Sequence, residues 1–129
     1  MFPYRRNGVK QLDHDMMISR IATGLKAGGF IVVADHIKWQ DGVPPLINGH
    51  KPDIVYIERD GSPIIIEVET LDSCTNSHTI NQLRAFNKQG ETYVFIPTEK
   101  QSIFPKRTHL ERIIAANRLS NVKVLTFAA

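Results

Sequence analysis

Three observations predict a mixed α/β chain, with helices packed on a mixed sheet. Two short β-branched runs, Ile54-Val55-Tyr56-Ile57 and Ile64-Ile65-Ile66, stand on either side of Arg59-Asp60-Gly61 and read as two strands joined by a tight turn. Apolar residues recur at helical spacing in three other stretches, about 13–27, 78–89 and 106–118. Further apolar runs at 29–34, 92–96 and 122–127 separate or follow those helices as strands.

Taken in order, the first helix places Met17, Ile18, Ile21, Ala22 and Leu25 on one face, with Asp13 as its N-cap and Gly28 as its stop. The strand at 29–34 follows. Gly42, Pro44, Pro45 and Gly49 then mark 40–49 as a loop before the hairpin. In the helix at 78–89, Ile80, Leu83 and Phe86 point inward and Gly90 ends the periodicity; Pro97 closes the next strand. The last helix turns Leu110, Ile113, Ile114 and Leu119 inward and leads to the final strand.

The hairpin carries the chemistry. If Arg59, Asp60 and Gly61 form a three-residue loop ending in a left-handed glycine, Glu58 faces Ser62 and Asp53 falls directly opposite Glu67. Glu69 then shares that face. A loop of two or four residues would set Asp53 on the other side, because side chains alternate between faces. Like charges across a ladder repel, so such a cluster calls for a divalent cation, and magnesium takes one or two carboxylates with water and phosphate completing its shell. The plainer alternative is that Asp53 starts a strand and both glutamates line a solvated face. Ile64, Ile65 and Ile66 run on without polar alternation, which instead suggests a strand buried on both faces.

Pro52-Asp53, then Glu67-Val68-Glu69 at the end of the next strand, resembles the signature of the PD-(D/E)XK nuclease superfamily, in the variant with E-x-E where most members have E-x-K. The family order is also met: helix, three strands, helix, strand. The resemblance implies a restriction-endonuclease-like core, αβββαβ with an additional C-terminal helix and strand, spanning 1–129 as a single domain. It implies divalent-metal-dependent hydrolysis of phosphodiester bonds, with DNA as the expected partner. Asp53 and Glu67 would hold Mg2+ or Mn2+ with the Val68 carbonyl as a third ligand, and Glu69 would orient or deprotonate the attacking water. Gln82 with Phe86 is similar to the Q-x-x-x-Y pattern of some members, which would turn Gln82 to the active site; an exposed helix face is the alternative. With no lysine at position 69, the resemblance leaves Lys51, Arg84 and Lys88 as candidates to approach the phosphate. The family often has an acidic residue in the first helix; Asp13 and Asp15 are the candidates here, and helix capping is the preferred role for both. A member of this fold without catalysis, kept as a nucleic-acid-binding or assembly module, is the rival reading, and a protein-interaction domain without a nucleic-acid role is the second.

Length and composition suit one domain of ordinary size without repeats. No apolar run approaches membrane-spanning length, no hydrophobic signal core opens the chain, and the single Cys74 can form no internal disulfide, so a cytoplasmic home is expected. The formal charge is +3, with cations dispersed over Arg5, Arg6, Lys10, Lys51, Lys88, Lys106, Arg107, Arg112 and Arg118. That permits nucleic-acid binding, while a solvated surface explains most of these cations individually. A symmetric homodimer would be the simplest way for such a domain to cut both strands. The five histidines show no zinc spacing, although His50 lies close to Asp53. Cys74 would be a nucleophile only with a partner such as His78. No P-loop and no dinucleotide fingerprint is present.

Overall fold

The computed structural model describes residues 8–36, 39–100 and 102–128. Its elements are α1 (Gly8–Ala27), β1 (Ile31–Ala34), β2 (Ile54–Ile57), β3 (Pro63–Val68), α2 (Ser77–Gln89), β4 (Glu91–Pro97), α3 (Lys106–Ala116) and β5 (Val122–Phe127). This is the order αβββαβ followed by a helix and a strand, as expected. The five strands form one sheet in the order β1-β2-β3-β4-β5, antiparallel from β1 to β3 and parallel from β3 to β5. Antiparallel neighbours need only short turns, whereas each parallel step requires a crossover, and α2 and α3 supply the two crossovers.

The helices cover both faces. Met17, Ile18 and Ala22 of α1 pack on Val32, Ala34, Ile54, Tyr56, Ile64, Ile66 and Val68. On the opposite face Phe86 of α2 packs against Val55 and Ile65, while Leu83, Leu110 and Ile114 meet Val94, Ile96, Val122 and Val124. The strand β3 is therefore buried on both sides: Ile64, Ile65 and Ile66 are each at most 3% exposed. That is why the sequence there shows no polar alternation.

The expected start of α1 is corrected. The helix runs through Asp13 from Gly8, so neither Asp13 nor Asp15 caps its start. At its other end Gly29 takes a φ of 91°, and the Gly29 and Phe30 N–H groups donate back to the Lys26 and Leu25 carbonyls, a Schellman stop. In α2 the Asn76 side chain accepts from the Thr79 N–H at 2.8 Å, one residue ahead of the expected first turn. Arg5 and Arg6 lie outside the described residues.

Candidate active site

The hairpin register sets the site. Gly61 has a φ of 89°, its N–H donates to the Glu58 carbonyl at 2.8 Å, and the Glu58 N–H donates to the Ser62 carbonyl at 2.8 Å. Asp60 closes the turn by accepting from both the N–H and the hydroxyl of Ser62. The loop is thus Arg59-Asp60-Gly61, an odd number of residues. Ile54 pairs with Ile66, which brings Asp53 level with Glu67 at the end of the ladder.

Asp53, Glu67 and Glu69 are 8%, 3% and 3% exposed. Carboxylates so buried must be met by donors. Glu67 Oε1 accepts the Asp53 main-chain N–H at 3.0 Å. Asp53 Oδ2 accepts the Val68 N–H at 2.7 Å and lies 3.2 Å from His14 Nε2. An ionised carboxylate only accepts, so His14 Nε2 carries the proton in that contact. Glu69 Oε2 takes a 2.5 Å hydrogen bond from the Ser73 hydroxyl. Ser73 belongs to a tight turn with Thr70, and its carbonyl accepts from the Thr79 hydroxyl at 2.8 Å, so the start of α2 is tied to the end of β3.

Asp53 and Glu67 come together; Glu69 is turned to Ser73. Among the described residues no three His, Cys, Asp or Glu side chains form a group able to hold a metal ion. The pair Asp53 and Glu67 still offers the donor chemistry that a hard cation takes, two carboxylates, with the rest of the shell left to carbonyl, water and phosphate oxygens.

The other expected residues divide. Lys51, two positions before Asp53, is exposed, and its Nζ lies 3.9 Å from Asp35 Oδ1. Gln82 is half-buried on α2 beside Leu83, while Phe86 is fully buried core. Arg84 and Lys88 lie further along α2. The helix α2 starts beside Ser73 and runs back along the sheet to the start of β4, so at 1.5 Å per residue Arg84 is roughly 10 Å and Lys88 about 16 Å beyond its first residue. The Arg84 guanidinium is occupied by Asn81 Oδ1 at 2.9 Å and Asn117 Oδ1 at 2.8 Å. His50 lies with its ring centroid 6.4 Å from that of His78 and edge-on to Phe86.

Cys74 is fully buried, and desolvation pushes its thiol up to about 11 despite the pull of Lys106. A thiol so protonated at neutral pH is no nucleophile.

His14, Ser73 and Arg20 were missed. His14 shares the helical face of Met17, Ile18 and Ile21, a spacing visible in the sequence. Arg20 borders a cleft of about 470 Å³ between α1 and the strand ends, lined also by His14, Met17, Val68, Glu69 and Phe127. Nothing local distinguishes Ser73 from the other hydroxyls of its turn.

No family model and no curated protein matches the chain. Among solved structures it is similar to a repair endonuclease from Pyrococcus abyssi, at 8% identity and a TM-score of 0.46. The match covers 99% of this chain and 50% of that one, so this chain spans about half the length of that protein.

Proposed function

We propose that the protein is a divalent-metal-dependent nuclease that hydrolyses phosphodiester bonds in DNA. The observation that carries this reading is the direct opposition of two buried carboxylates, Asp53 and Glu67, at the end of a hairpin whose loop fixes their register. Asp53 and Glu67 would hold Mg2+ or Mn2+ together with the Val68 carbonyl. When bound, such an ion lowers the pKa of a water and offsets charge on the phosphate oxygens. Glu69, oriented by the Ser73 hydroxyl, would accept the proton of the attacking water, which requires it to be ionised. His14, donating to Asp53, holds that carboxylate in one orientation from the α1 side. Lys51, two residues before Asp53, would meet the phosphate in place of the lysine absent at position 69, the Arg84 guanidinium being engaged by Asn81 and Asn117.

A second reading has an observation of its own. Asp53, Glu67 and Glu69 each accept a hydrogen bond from within the fold, as they would in a cluster that only ties strands and helices together. On that reading the chain is a nucleic-acid-binding or assembly module without catalysis. Incubation of the purified protein with supercoiled plasmid, branched DNA and RNA of matched sequence separates the two. The nuclease reading expects cutting with Mg2+ or Mn2+ that stops on chelation. Salt-sensitive DNA binding without cutting under any metal would leave the silent module.

A further inference from the structure

Between β4 and α3 the chain projects a short finger whose tip is Ile103-Phe104. These side chains are 89% and 86% exposed, although apolar groups of this size gain by burial. The described residues on either side of position 101 are tied by hydrogen bonds. At the finger's root the Glu99 carboxylate accepts the Lys106 main-chain N–H, and at its tip the Phe104 N–H donates to the Ser102 hydroxyl at 3.2 Å. Pro105, at φ −61°, sets the entry to α3.

The finger rises from the end of the sheet that carries the acidic hairpin. Strands β3 and β4 run parallel with Val68 beside Phe95, so Glu69 and the first residues of the finger leave neighbouring strand ends. Around the tip the charge is basic. Lys100 is exposed and Lys106 half-buried, while the finger's own acid, Glu99, is engaged by the main chain; Arg107 instead turns back to the Val124 carbonyl at 3.4 Å and to Glu111 at 3.7 Å.

An exposed aromatic ring flanked by cations suits a chain of unpaired nucleotides, whose bases stack on the ring while phosphates meet the cations. In an intact duplex the bases already stack on one another. We propose that the Ile103-Phe104 finger holds unpaired bases beside the acidic hairpin, and that the substrate class is therefore single-stranded or branched nucleic acid rather than fully paired duplex. The inference rests on the nuclease reading for what happens at the hairpin, but the binding it describes stands without cleavage.

The test is fluorescence anisotropy in chelator, so that no cutting occurs, with a labelled forked DNA and a duplex of equal length. Wild type is compared with Phe104→Ala, Ile103→Ala and Phe104→Trp. Expected is tighter binding of the fork, a loss of roughly tenfold for the fork alone in Phe104→Ala, within the range of one base stacked on an aromatic ring, and recovery in Phe104→Trp. Equal affinity of wild type and Phe104→Ala for the fork overturns the inference even if the protein cuts plasmid. So does a wild-type dimer that Phe104→Ala dissociates without altering DNA binding, since the finger would then seat a second copy. Phe104-dependent fork binding by a protein that cuts nothing supports the finger and removes the nuclease reading.

Discussion

At Asp53 two N–H donors meet a buried carboxylate, one from the Val68 main chain and one from His14 on α1. Removing the second leaves a buried acceptor with one donor fewer. His14→Ala is expected to lower stability by about 2 kcal/mol or more, read as the urea midpoint, and His14→Gln, whose amide can still donate, should recover part of it. Cys74 makes the opposite kind of statement. Burial raises its pKa from near 9 to about 11, and burial with the Glu58 hydrogen bond raises Tyr56 from near 10 to about 12. Both groups favour the protonated form in the fold. The stability they contribute is fully present below their ordinary values and is lost as pH rises through the shifted ones. The urea midpoint should therefore fall above about pH 9, and Cys74→Ala should flatten the part between pH 9 and 11. At pH 8 iodoacetamide should modify Cys74 only after unfolding; rapid labelling of the native protein would show the thiol to be accessible.

At the scale of elements, the hairpin transmits loop chemistry to the site. Gly61 sits in the left-handed region and its neighbours close the turn, so Gly61→Val should cost about 1–2 kcal/mol, checked by thermal unfolding. The hairpin and its register were legible because β-branched runs bracket an Asp-Gly pair, and the burial of β3 was legible because three isoleucines follow one another without a polar residue. The start of α1 was not, because Asp13 has the composition of a cap while Lys10, Gln11 and Leu12 before it favour helix as well. The site was legible in its acids and illegible in its supports. Asp53 and Glu67 are joined by local register, whereas His14 reaches Asp53 from an element that packs on the sheet only in three dimensions. Among the candidate cations Lys51, Arg84 and Lys88 the sequence could not choose, because the direction in which a crossover helix leaves the sheet end is set only in three dimensions.

Across the whole molecule, β3, α2 and β4 form a crossover that directs α2 away from the strand ends where the acids lie. Cations at its far end should then be silent. Arg84→Glu and Lys88→Glu are expected to leave cleavage within about twofold of wild type, and Lys51→Ala to lower it at least tenfold, as initial rates on plasmid at fixed salt; loss of cleavage in Lys88→Glu would contradict the geometry. The opposed carboxylates are the centre of the account, and isosteric replacement tests them most directly. Asp53→Asn and Glu67→Gln keep the shapes and remove the charges, so both variants, with circular dichroism confirming their fold, are to be compared with wild type in metal-dependent plasmid cleavage. The expected result is cutting by wild type and a loss of at least a hundredfold in each variant. Undiminished cutting by either folded variant would contradict the claim that this hairpin is the catalytic site.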